Sequence, residues 1–298
     1  MPDYSPLKDR FGEHCRFGEG AAGFTTYRAG GAAEVTVRPG TTEELLWLAG
    51  WCRAAAVPFL VLGRGSNVLV SDRGLPGVTA LTERLDRITI SGGAIEAQAG
   101  AAWDEVARLS AEAGLAGFEK TSGIPGSVGG AVRMNAGAFG QETFDRLVSL
   151  DAFDRQGKPV RLPKAGIKFG YRSVGGLDGL TVLSARFELP AGDKAVLIQD
   201  RSCVLAARAA KQPLDHPSAG SVFKRPPGDY ASRLIDAAGL KGLRIGGAEV
   251  SGVHAGFIVN AGGATAADIY ALMQEVRARV KAGTGVELEL EQILLGEF

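Results

Sequence analysis

The chain has 298 residues, enough for one large core or for two to three smaller ones. Its 45% hydrophobic and 22% charged content is that of an ordinary globular protein. Lysine plus arginine number 33 and aspartate plus glutamate 33, which excludes a global field drawing the chain to nucleic acid or to a membrane surface.

The first residues, Met1-Pro2-Asp3-Tyr4-Ser5-Pro6, lack the basic start and apolar run of a signal peptide, and no window is apolar enough to span a bilayer. Cys15, Cys52 and Cys203 are odd in number and far apart, and His14, His216 and His254 are equally scattered. No metal-ligand spacing results, so the expectation is a cytoplasmic protein without a metal site. Glycine, at 43 residues, is about twice its usual share, and signals many tight turns and close backbone approaches.

The first predicted strand covers 33–38 and stops at Pro39-Gly40. Thr41-x-x-Glu44 reads as a capping box, opening a helix with Leu45, Leu46, Leu48, Ala49, Trp51 and Cys52 inward. A short apolar strand over 58–62 then runs into Gly63-Arg64-Gly65-Ser66-Asn67. A glycine turn at the carboxyl end of a strand is where α/β ligand sites tend to lie. Short strands follow from about residue 79, broken at Ser91-Gly92-Gly93, and then a helix over 102–113 that Gly114 stops.

The run Gly123-Ile124-Pro125-Gly126-Ser127-Val128-Gly129-Gly130-Ala131-Val132-Arg133-Met134-Asn135-Ala136-Gly137 is the most informative stretch. Four glycines in eight residues before a short helical pattern suggest amide N–H groups converging on an anion at a helix start. No Gly-Lys-Ser/Thr ends the run, and Gly63-Arg64-Gly65 does not continue into G-x-G-x-x-G. A phosphate-bearing cofactor outside the two commonest folds fits; a tight connection with no ligand is the alternative.

Strands are expected around 147–153, with a turn at Asp154-Arg155-Gln156-Gly157, and a linker at Leu189-Pro190-Ala191-Gly192-Asp193. Helices follow over 195–211 and 230–238, the second closed by Gly239. Thr265, with Asp268 three places on, caps a last helix to Lys281, and a strand over 286–295 ends the series.

Seven motifs occur in order: Tyr27-Arg28-Ala29-Gly30-Gly31, Leu62-Gly63-Arg64-Gly65-Ser66-Asn67, the 123–137 run, Phe169-Gly170-Tyr171-Arg172, Gly220-Ser221-Val222-Phe223-Lys224, Leu243-Arg244-Ile245-Gly246-Gly247-Ala248 and His254-Ala255-Gly256-Phe257-Ile258-Val259-Asn260. Together they resemble the UDP-N-acetylenolpyruvoylglucosamine reductase (MurB) family from about Phe24 to Gly296. The spacing between Arg172 and Ser221 is like that of the shorter members, which lack a substrate-clamping tyrosine loop.

The resemblance implies an α+β fold with a two-lobed FAD-binding domain of the vanillyl-alcohol-oxidase/PCMH type and a C-terminal α+β substrate-binding domain. The lobes are expected over 1–80 and 81–192, and the C-terminal domain over 193–298. It further implies non-covalent FAD, NADPH as co-substrate, a nucleotide-sugar substrate of bacterial cell-wall synthesis, and a cytoplasmic monomer. Flavin contacts are assigned by resemblance to Arg28, Gly63, Arg64, Gly65, Ser66, Asn67, Thr121, Gly123, Ile124, Pro125, Gly126, Gly129, Gly130, Asn135 and Ala136. Substrate contacts fall on Tyr171, Lys211, Lys224 and Arg225.

Three residues match the family's catalytic positions. Arg172 corresponds to an arginine that polarises the substrate carboxylate, a role suited to a planar, permanently charged guanidinium. Ser221 corresponds to the proton donor, and Glu291 to an assisting glutamate. Read without the family, Arg172 is an ion-pair residue, Ser221 a turn residue, and Glu287, Glu289 and Glu291 the solvated face of a strand. Gln292 breaks that alternation, so Glu291 sits where the exposed pattern ends.

The pattern departs from the family at Gln212, which separates Lys211 from Pro213, at Arg225 where many members have asparagine, and at Ile293 where several have arginine. Two other readings remain: a non-covalent FAD oxidase acting on an alcohol or sugar, and a flavin- or nucleotide-binding module without activity.

Overall fold

A computed structural model describes residues 2–298. One compact unit takes the residues up to Arg16, Thr36–Arg64 and Gly77–Arg208; the other takes Phe17–Val35, Gly65–Pro76 and Ala209–Phe298.

In the first unit five antiparallel strands lie in the order Pro159–Pro163, Leu147–Phe153, Thr181–Glu188, Ala94–Gln98 and Ile88–Ser91. Period-two alternation turns Ile95 with Ala97, and Ala185 with Phe187, into one core. The helix Trp103–Glu112 buries Trp103, Val106, Ala107, Ser110 and Ala111, the stripe of an amphipathic helix. Trp103, Phe118 and Phe187 meet edge to face at ring separations of 4.9, 5.8 and 5.2 Å. Such pairs add about 0.5–1.5 kcal/mol each beyond the area they bury.

The strand Phe59–Leu62 runs parallel to residues 78–81 of the strand Leu75–Leu81. The helix before it, Thr42–Ala54, buries Leu45, Leu48 and Cys52, a narrower face than the pattern predicts. Its cap also differs. The Thr41 hydroxyl accepts the Glu44 amide, but the Glu44 carboxylate accepts from the Gly40 amide at 2.6 Å rather than from Thr41. Burial pushes the Cys52 thiol up to about 12, as suits an inert core cysteine.

The predicted linker at 189–193 is corrected. Leu189 donates to Gly93, Ala116 to Pro190 and Gly192 to Gly114, so this stretch is paired backbone inside the first unit. Its Pro, Gly and Asp content resembles a linker because pairing to distant residues leaves no local mark.

In the second unit the antiparallel strands Arg244–Ile245, Ala248–Val250 and Ile258–Asn260 accompany the helices Ala231–Ala237 and Ala266–Thr284. Ile269, Leu272, Met273, Val276 and Val280 form the buried stripe of the longer helix. Its capping box is complete between Thr265 and Asp268, and Asp72 accepts the Ala266 and Ala267 amides at 2.9 and 2.8 Å. A carboxylate there meets the positive end of the helix dipole. The helix outlasts its predicted end at Lys281, running to Thr284 before Gly285 closes it in the left-handed region.

The predicted strand over 286–295 is shortened to Ile293–Leu295, with an isolated bridge at Leu290. The cause is a change of partner. Up to Glu291 the chain pairs with residues 222–224, and from Ile293 it pairs in parallel with Val68–Val70. Gln292 lies at the switch.

Candidate active site

In the first unit the glycine run leads into a short helix, Val128–Met134, capped by Ser127, whose hydroxyl accepts the Gly130 amide at 3.3 Å. Val128 donates to Ala101 and Gly129 to Ala99. These amides are committed to the protein, which corrects the expectation that the helix start gathers donors around an anion. The glycines act through close approach instead. A Cβ at Gly63 would lie 2.1 Å from Ser127 Oγ, and one at Gly123, where φ is +74°, would lie 2.9 Å from Leu205 and from Arg208.

Asp104 holds this loop. It accepts the Gly123 amide at 2.6 Å and a two-point contact from Arg201 at 2.5 and 2.9 Å. The Arg201 guanidinium, with help from the Gly123 amide, keeps the Asp104 carboxyl below the usual carboxylate range.

Two of the expected flavin contacts take other roles. Thr121 is fully buried, and its hydroxyl donates to Phe118. Asn135 is also fully buried, in the left-handed conformation at φ +42°. Its Oδ1 accepts the Phe144 amide at 3.0 Å, and its Nδ2 donates to Glu142 at 2.6 Å and to the Gly170 carbonyl at 3.1 Å. Both Nδ2 hydrogens are therefore used within the protein, and the side chain is buried.

Asn135 also supports Arg172. Phe169–Gly170 and Ser173–Val174 form a two-residue hairpin with Tyr171 and Arg172 at its tip. Arg172 sits at φ +50°, a conformation that favours glycine or asparagine at this turn position. Its guanidinium donates to the carbonyls of Asn135 at 3.4 Å and Gly137 at 2.9 Å, and lies 5.0 Å from the Tyr171 ring centroid. The asparagine side chain thus holds the hairpin while its carbonyl helps aim the charge.

The second unit brings Ser221 and Glu291 onto one bonded patch of backbone. Ser221 bridges Phe257, Phe223 bridges Leu290, and the Glu291 amide donates to the Val222 carbonyl at 2.8 Å. Asn67, expected at flavin, donates its Nδ2 to the Glu291 carbonyl at 3.1 Å, and its own carbonyl accepts the Ile293 amide. The glutamates separate here. Glu289 is exposed and paired with Lys224, whereas Glu291 is half-buried. Arg225 lies over the Tyr230 ring at 4.5 Å, Lys211 is exposed at the end of its helix, and Arg28 is exposed at φ +52°.

Family models match two spans of the chain: the FAD binding domain over residues 33–163, and the UDP-N-acetylenolpyruvoylglucosamine reductase C-terminal domain over 212–295. The UDP-N-acetylenolpyruvoylglucosamine reductase of Lactococcus lactis subsp. cremoris is 45% identical over 95% of both chains. The chain belongs to the UDP-N-acetylenolpyruvoylglucosamine reductase family. The enzyme of that name from Streptococcus pneumoniae is 43% identical over 95% of this chain and 94% of its own. The crystal structure of the Thermus caldophilus MurB superposes with a TM-score of 0.81 at 36% identity, covering 95% of this chain and 98% of that one. The fold is α+β, with an FAD-binding domain and a C-terminal domain.

Membership gives the expected flavin residues a test. Beyond Thr121 and Asn135 they include the glycines Gly63, Gly65, Gly126, Gly129 and Gly130, whose lack of a side chain permits close approach, and the exposed arginines Arg28 and Arg64, with no carboxylate among them. The chemistry of these residue types, cationic and without a carboxylate, is compatible with the diphosphate of FAD. Arg28, Tyr171, Arg172 and Lys211 fall outside both matched spans. The contacts made by Asp104, Glu142, Tyr27 and Gln292 were not legible in the sequence. Only Gln292 left a local signal, the break in alternation after Glu291.

Proposed function

We propose that this chain reduces the enolpyruvyl group of UDP-N-acetylglucosamine enolpyruvate to UDP-N-acetylmuramate for peptidoglycan, using NADPH. The observation that carries this reading is the span of the likeness, which takes in the flavin-binding and C-terminal parts together over 95% of the chain. In it, residues 1–80 and 81–192 serve FAD, and residues 193–298 serve the nucleotide sugar. The protein acts as a cytoplasmic monomer.

Bound FAD supplies the two-electron relay between the nicotinamide and the alkene. The chain's own residues handle charge and protons. As hydride reaches the terminal alkene carbon, negative charge develops on the neighbouring carbon and its carboxylate. Arg172 stabilises that charge through a guanidinium already oriented by two carbonyls, so little reorganisation is needed as it builds. Ser221 gives its hydroxyl proton to the carbon beside the carboxylate and is reprotonated from solvent. Glu291 assists at the same transfer, while Lys211, Lys224, Arg225 and Tyr171 hold the nucleotide sugar.

An anaerobic visible spectrum tests the reading. Bleaching of the flavin bands by NADPH, followed by their return on adding the enolpyruvyl nucleotide sugar, is the expected result. Bleaching without return would discard the substrate, and a protein that cannot take up FAD would discard the whole reading.

A further inference from the structure

The chain carries an amide that no part of the proposed chemistry uses. Gln292 is 4% exposed, and its Nε2 donates to the carbonyls of Ala219 at 3.0 Å and Gly220 at 3.2 Å. Carbonyls only accept, so the NH₂ end must face them, and Oε1 is turned to the Tyr27 hydroxyl, which donates to it at 2.9 Å. Tyr27 is fully buried, and its own carbonyl accepts Nδ2 of Asn260 at 3.1 Å. Burial raises the Tyr27 hydroxyl above its ordinary range, which favours the protonated, donating form.

The two carbonyls that Gln292 grips belong to the residues just before Ser221. Gly220 lies at φ +75°, and a Cβ there would meet no atom within 4 Å, so no side-chain contact at this position sets its conformation. The hydrogen bond to its carbonyl fixes the plane of the peptide leading into Ser221, and with it the direction of the serine Cα–Cβ bond. The backbone either side of Gln292 is tied as well, the Glu291 amide to Val222 and the Ile293 amide to Asn67. The amide therefore enters the serine loop from a strand that cannot slide.

We propose that Gln292, held by Tyr27, is a positioning residue that aims Ser221 for proton transfer. The inference rests on the reading of Ser221 as proton donor. Displacement of a reacting group by about 1 Å can cost a hundredfold in rate. Leucine at 292 would leave two carbonyls and a tyrosine hydroxyl buried without partners; phenylalanine at 27 would remove one bond and keep the ring.

The test compares the two half-reactions by stopped flow in the flavin-loaded variants Ser221→Ala, Gln292→Leu, Tyr27→Phe and the Ser221→Ala/Gln292→Leu double. In Gln292→Leu, reduction by NADPH should stay within about twofold while reoxidation by the nucleotide sugar slows by roughly tenfold to a hundredfold. The solvent deuterium isotope effect on that step should rise, a readout that mere loosening would not move. The double variant should be no slower than Ser221→Ala alone, because a positioning residue has nothing left to aim. Normal reoxidation in Ser221→Ala would remove the serine assignment itself. Slow reoxidation there, with wild-type reoxidation in Gln292→Leu, would overturn the positioning role and leave the serine in place. If Gln292→Leu fails to fold, Tyr27→Phe decides: a few-fold loss confined to reoxidation supports the proposal, and equal rates overturn it.

Discussion

The Arg172 hairpin and the Ser221 loop, to which the proposed reaction assigns the charge and the proton, hold their side chains by opposite means. Arg172 occupies a left-handed position at a hairpin tip, where a non-glycine residue costs about 1–2 kcal/mol, and it is anchored by carbonyl acceptors and the buried Asn135. Ser221 follows a left-handed glycine, which avoids that strain, and its place is set by register with the segment 289–293. A charge gains from being held in one plane, because its electrostatic effect then requires no reorganisation. A proton donor needs only direction, which a bonded peptide plane provides.

The largest expected effect probes the direction. Ser221→Ala should slow reoxidation by roughly a hundredfold or more and leave reduction by NADPH near normal, as stopped-flow traces will read. Next comes the charge. Arg172→Lys keeps the charge but not the planar fork, so turnover should fall by roughly tenfold to a hundredfold. A wild-type rate would mean that charge alone matters and would break the contrast between the two regions.

A smaller effect concerns support. Asn135→Ala removes three side-chain hydrogen bonds from a fully buried site, and should lower unfolding stability by about 2–3 kcal/mol in denaturant titration. Activity should fall with it, because the hairpin loses its tie to Gly170. Unchanged stability would show that the hairpin holds itself.

The smallest effect lies outside both regions and serves as their control. Asp104 is held below its ordinary range by Arg201, so its contribution is present above the unfolded carboxylate value and is lost as pH falls through the lower folded value. The pair is partly exposed, which limits the contribution to less than about 1 kcal/mol. Asp104→Asn should flatten the acid limb of the stability curve and leave the alkaline limb unchanged; an unaltered acid limb would rule the pair out.

Legibility in the sequence followed the range of the interaction. The helix opened by Thr265 was readable because cap, box and apolar stripe lie within one segment. The assignments of Arg172 and Ser221 rest on motifs, and that of Glu291 on the family resemblance beside the break in alternation at Gln292; none of the three leaves its surroundings legible. Asn135 closes a glycine run and so resembles a ligand residue, yet its partners Glu142, Phe144 and Gly170 lie downstream in no recognisable spacing. Alternation at 286–290 suggested a long strand, but alternation cannot report that the partner changes at Gln292. The stretch 189–193 failed likewise, its composition matching a linker and its pairing lying with residues 93 and 114–116.

The parallel pairing of Ile293–Leu295 with Val68–Val70 also sets an order of events during synthesis. Asn67 and Glu291 meet across 224 residues of sequence, so the early strand leaves the ribosome long before its partner exists. Closing so long a loop is entropically expensive and slow, and contacts of this kind come late in folding. The second unit, with the serine and the glutamate it registers, therefore completes only after the first unit has had every residue it needs.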